Sequence, residues 1–70
     1  MDNRSVDVAV YTCFEDGGGK SFSFRINLCE DSFVALQFFT PNAHAISVLC
    51  DMWLKGASAE TIQSVAEHVI

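Results

Sequence analysis

Residues 6–14 alternate in character. Val6, Val8, Val10 and Phe14 share one parity, and Asp7, Ala9, Tyr11 and Cys13 share the other. That period of two predicts a strand with one buried face. Residues 15–19 (EDGGG) break it with a flexible turn. Residues 20–28 alternate more cleanly, with Phe22, Phe24, Ile26 and Leu28 set against Ser21, Ser23, Arg25 and Asn27, so this strand has a core face and a wet face. A short turn at Glu30, Asp31 and Ser32 leads to a third strand at residues 33–40. Here Val34, Leu36 and Phe38 keep the core parity, while Phe33, Ala35 and Phe39 fall on the opposite one. Short turns make an antiparallel 1-2-3 meander and leave this doubly apolar strand at an edge.

The period then changes. Thr40 and Pro41 read as the N-cap and first position of a helix. Ile46, Leu49, Cys50 and Trp53 follow the spacing of a buried stripe, with His44, Ser47, Asp51 and Lys55 on the other side. Gly56 is placed to stop that helix, and Ser58 to cap a second one whose core face is Ile62, Val65, Ala66 and Val69. Glu60 suits the first turn of this second helix. The expected fold is α+β: a three-stranded antiparallel β-meander followed by two α-helices packed on one face (βββαα).

Seventy residues, half of them apolar, make one domain, 1–70, with a thin margin of stability. Such a chain gains by dimerising or by docking on a partner. Nine acidic against four basic residues give a net charge of −5, and Arg4, Lys20, Arg25 and Lys55 are scattered. No basic stripe tracks phosphates, so direct nucleic-acid binding is not expected. No stretch has the length of a membrane span, and the N-terminal MDNRSVDVAV lacks the apolar stretch of a signal peptide. Three cysteines without CxxC spacing read as reduced thiols, and the expected compartment is cytoplasmic.

The order of elements, the Trp53-Leu54-Lys55-Gly56 helix end and the Ser58-Ala59-Glu60 helix start resemble the N-terminal half of NifU-like iron–sulfur cluster scaffolds and related TSCPD-type domains. The similarity spans residues 20–65. It implies the same architecture, without the chemistry. Where those families carry a ligand cysteine before the second strand, this chain has Gly17, Gly18, Gly19, Lys20 and Ser21. Where they carry one before the helix, it has Asn42, Ala43 and His44, and the third ligand position falls beyond residue 70. A cluster needs converging thiolates, so no cofactor is expected.

Residues 17–21 also end like a phosphate-binding loop, but the first required glycine falls at Phe14, and a strand pattern follows where a helix is needed. Cys13, Asp16 and His44 are zinc-competent types that a meander could bring to one edge, yet they lack a spacing motif. Cys13 and Cys29 sit at opposite ends of the sheet, too far apart for a disulfide. Cys50 reads as a small core residue. His68 beside Glu67 reads as a solvated helix end. No triad or carboxylate pair is spaced for acid–base work, and no enzyme is expected.

What stands out is the outer sheet face. Tyr11, Phe33, Ala35 and Phe39, with Arg25, should point away from the helices, and grouped exposed aromatics mark interfaces. A bulge in strand 3 would instead bury Phe33 or Phe39. The expected function is a non-enzymatic protein-interaction module on a scaffold-like fold, bound to a protein partner or to itself as a homodimer. Two alternatives suit the same sequence: a small acidic phage or mobile-element inhibitor of a host defence or nucleic-acid enzyme (anti-CRISPR-like), and a zinc or iron carrier.

Overall fold

The computed structural model describes residues 3–70; Met1 and Asp2, which belong to the segment read for a signal peptide, lie outside the described residues. Three antiparallel strands form one sheet in the order β1-β2-β3: β1 (Arg4–Phe14), β2 (Lys20–Glu30) and β3 (Phe33–Thr40). Two helices follow, α1 (Ala43–Leu54) and α2 (Ala59–Val69). The α+β class and the βββαα order expected from the periodicities are those observed.

One core cluster joins the layers. Ile26 and Leu28 of β2 meet Leu49 and Trp53 of α1 and Ile62 and Ala66 of α2, with Val6, Leu36, Phe38 and Ile46 packed around them. Burying each large aliphatic side chain contributes about 1.5–3 kcal/mol. α1 lies over β1 and β2, and α2 packs against α1.

The turns follow from local chemistry. Asp31 and Ser32 both adopt left-handed backbone, with φ of 51° and 71°. That is the two-residue turn whose twist matches a hairpin. Asp31 is anchored there by the Asn3 Nδ2–H, which donates to its carboxylate at 2.9 Å. At the end of α1 the Ala57 N–H donates to the Met52 carbonyl and the Gly56 N–H to the Trp53 carbonyl. This double bond pattern requires a left-handed residue, and Gly56 supplies it with φ of 97°.

Two sequence expectations need correction. Thr40 does not cap α1; it remains the last rung of β3, paired with Phe24 and almost fully buried. Its hydroxyl accepts the Asn42 N–H at 3.0 Å, and Asn42 is the cap, accepting the His44 N–H at 3.0 Å. Pro41 therefore precedes the cap. The second correction is a bulge. Leu36 pairs with Leu28 and Val34 with Cys29, so Ala35 is an extra residue in β3. The insertion reverses parity. Val34 consequently leaves the core parity for the outer face, 53% exposed, and Phe33 moves to the helix side opposite Glu30.

β3 stops opposite Phe24, while β1 and β2 continue through the pairs Tyr11–Ser23, Thr12–Phe22, Cys13–Ser21 and Phe14–Lys20. The result is a two-stranded arm, and the molecule measures 49 × 24 × 15 Å.

Candidate protein-interaction surface

Both helices sit on one side of the sheet, so the other side is open. The register settles which side chains share it, because residues directly opposite in an antiparallel pair project from the same face. Ala9, Arg25 and Phe39 form one row across the three strands, and Asp7, Asn27 and Gln37 form the next. Tyr11 is diagonal to Arg25 along β1.

Arg25 is the hub of this face. Its Nη1 donates to the Tyr11 hydroxyl at 2.8 Å, and its Nη2 lies 3.4 Å from the Asp7 carboxylate. With two partners the guanidinium is held in place before any ligand arrives. The ion pair to Asp7 is itself worth little at such exposure. Next to it the Gln37 amide donates to the Asn27 side-chain carbonyl at 2.9 Å, which satisfies the buried Asn27. Phe39, directly across from Arg25, is 56% exposed. The face is thus a small polar network flanked by two exposed aromatic rings.

Of the five residues expected at this surface, the structure brings three together: Tyr11, Arg25 and Phe39. Ala35 is the inserted bulge residue nearer the far end of β3. Phe33 is 77% exposed but lies on the helix-side parity beside the 31–32 turn, so it does not belong to the group. The bulge buries neither phenylalanine; it redirects one. Asp7, absent from the expected set, is part of the surface. Its parity with Tyr11 and the Arg25 parity on the neighbouring strand were the available signals.

The remaining candidates separate. Cys13 lies near the tip of the arm, paired with Ser21, whereas His44 follows Thr40 at the start of α1. β3 ends three rungs short of Ser21 and lies on the opposite edge of β2 from β1, so the shared edge expected for Cys13, Asp16 and His44 does not form. Among the described residues no group of three or more His, Cys, Asp or Glu is placed to hold a metal ion. Residues 17–21 run from the hairpin turn into β2, with no helix N-terminus behind them. Cys13, Cys29 and Cys50 are free thiols, and burial pushes the Cys50 thiol up. Among the described residues no helix is long and apolar enough to cross a membrane.

Arg4 carries no signal in the sequence pattern. Its guanidinium lies 3.8 Å from the centre of the Trp53 ring and donates to the Trp53 and Ala57 carbonyls at 3.0 and 2.8 Å. Its Nε is 3.5 Å from the Glu30 carboxylate. Arg4 thus clamps the end of α1 onto the sheet, a structural role that no local pattern announces.

No family model, curated protein or solved structure matches the chain.

Proposed function

We propose that this chain is a small non-enzymatic protein-interaction module that binds a partner protein through the outer face of its sheet. The observation that carries this reading is the grouping of Tyr11, Arg25 and Phe39 on a face with no second layer over it. Tyrosine, arginine and phenylalanine are the residues enriched at interface centres. Arg25, ordered in advance by Tyr11 and Asp7, loses little freedom on binding. The resemblance to cluster scaffolds supports the same reading, since the stretches that match the ligand positions hold no cysteine. In this fold those stretches also lie apart, one at the arm tip and one at the start of α1.

Affinity capture from extracts of the native host tests the proposal. Wild type and the remote variant Lys55→Glu should retain the same specific protein. Phe39→Asp and Arg25→Glu should each lose it by at least about tenfold, equivalent to about 1.4 kcal/mol. The melting curve of Phe39→Asp should stay close to wild type, because Phe39 is exposed and lies outside the core cluster. Equal retention by all four chains sinks the proposal.

A further inference from the structure

We propose that the open edge of β1 pairs with the same edge of a second copy of this chain, joining their two sheets into one. β1 is hydrogen-bonded to β2 alone, so its other edge is open along 11 residues. The bonds at the two ends of the β1–β2 ladder show which residues face that edge. The Asp31 N–H donates to the Asn3 carbonyl at 3.1 Å, and the Glu15 N–H to the Gly19 carbonyl at 2.9 Å. Bonded and non-bonded rows alternate in an antiparallel pair, and the register runs unbroken between these two points. Odd-numbered residues of β1 therefore turn their backbone groups to β2, while Val6, Val8, Val10 and Thr12 turn theirs outward. Only another extended backbone matches such a row of alternating donors and acceptors.

Three features select a second copy as the strand that docks. The first is the contrast between the two edges of the sheet. Edges are ordinarily blunted by shortness, lysine, proline or a bulge. β3 is blunted: it has 8 residues, carries the insertion at Ala35 and runs into Pro41. β1 has no lysine, proline or bulge, and its one mid-strand charge, Asp7, is drawn towards Arg25 of β2. Pairing β1 with β1 closes both unguarded edges and leaves a bulged β3 at each end, whereas a lone peptide would bring a second open edge of its own. The second feature is register. A two-fold axis at Ala9 is the arrangement that pairs the whole of Arg4–Phe14. It sets the outward groups of Val6 against Thr12 and of Val8 against Val10, for about eight hydrogen bonds. The third is complementarity. The same axis puts Asp7 opposite Tyr11 of the second copy, carboxylate to hydroxyl, and small Ala9 opposite itself where the chains come closest. Within the paired strands no carboxylate faces another, and Glu15 at the arm tip falls opposite Asn3. Residues 4–7 of the second copy then lie along residues 11–14, so the arm acquires the third strand that a ribbon needs.

The inference concerns the edge of β1 and does not rest on the function proposed for the outer face. Disulfide trapping and sedimentation equilibrium of the full chain test it together. In the paired strands Ser5 lies opposite Cys13 of the second copy in a non-hydrogen-bonded row, about 4.5 Å between Cα atoms and within disulfide range. Within one chain the two positions are about 26 Å apart, at about 3.3 Å per residue. Mild oxidation of Ser5→Cys should therefore give a covalent dimer whose cross-link maps by mass spectrometry to positions 5 and 13, and adding Cys13→Ser should abolish that link. Without oxidant, wild type should sediment with the mass of two chains across the micromolar range, and so should Phe39→Asp. Val8→Pro removes an outward N–H and leaves the β1–β2 ladder intact. It should keep native circular dichroism and raise the dissociation constant at least about tenfold. A monomeric wild type overturns the proposal, as does a folded Val8→Pro chain that dimerises like wild type. So does a Ser5→Cys chain that cross-links only between like positions, an outcome that decides the matter even where Val8→Pro fails to fold.

Discussion

Trp53→Ala should remove a large share of the protein's folding stability. The indole is 2% exposed and is the largest fully buried side chain, packed among Ile26, Leu28, Leu49 and Ile62. Truncating a buried tryptophan costs about 3–5 kcal/mol in lost transfer energy and cavity. A chain of this length is expected to have total stability of only about 4–10 kcal/mol at the usual value per residue. The loss also strips the Cys29 carbonyl of the Nε1–H that donates to it at 3.0 Å. In thermal denaturation the midpoint should fall by roughly 15–30 °C. Trp53→Phe keeps much of the apolar volume but not the donor, so it should fall between the two, with a loss of about 1–3 kcal/mol. A Trp53→Ala midpoint within a few degrees of wild type would show that the core is built around something else.

The second large effect belongs to Arg4. Arg4→Met removes the donor to the Ala57 carbonyl, just past the end of α1, and to the Trp53 carbonyl, which is left with the Gly56 N–H alone. It also removes a cation from the negative end of the helix dipole and from the face of the indole. The expected loss is about 2–3 kcal/mol, since hydrogen bonds to a charged group carry about 1.5–3. Arg4→Lys keeps the charge but not the flat, forked donor set, so it should recover only part of that loss. Because Arg4 stacks on Trp53, the two substitutions should not add. In chemical denaturation, a double-mutant cycle of Arg4→Met with Trp53→Phe should give a coupling of about 0.5–3 kcal/mol. Strict additivity would mean that the stacking contributes nothing.

These two residues mark where sequence reading succeeds and where it fails. Trp53 was visible as part of a helical stripe, because i, i+3, i+4, i+7 spacing is a local property. Arg4 was not. Its partners lie 49 and 53 positions along the chain, and its role exists only once α1 has come to rest on β1. The meander and the second helix were legible for the same local reason, with Phe22–Leu28 and Ile62–Val69 as their clearest segments. At the start of α1, Thr40-Pro41 offers a good helix start, yet burial of Thr40 in the β3 ladder outweighs it.

The outer face was half legible. Parity put Tyr11, Arg25 and Phe39 on it correctly. It put Phe33 there as well, because a one-residue bulge leaves no mark in an alternation that is apolar on both parities. Had β3 been polar on one face, the insertion at Ala35 would have shown as a break in the pattern. The projecting arm was also hidden, because strand lengths in a meander are set by where the pairing ends and not by residue type. β3 is the shorter strand because the chain turns into α1 after Thr40, and this leaves Phe14 and Phe22 uncovered.

The central claim is that the Tyr11–Arg25–Phe39 face meets a partner protein, and hydroxyl-radical footprinting of the captured complex tests it most directly. Aromatic rings react quickly when exposed, so Tyr11 and Phe39 should be oxidised readily in the free chain and several-fold more slowly in the complex. Leu54, exposed on α1, should react at the same rate in both. Unchanged oxidation of Tyr11 and Phe39, with protection confined to the helices or the arm, would contradict the account.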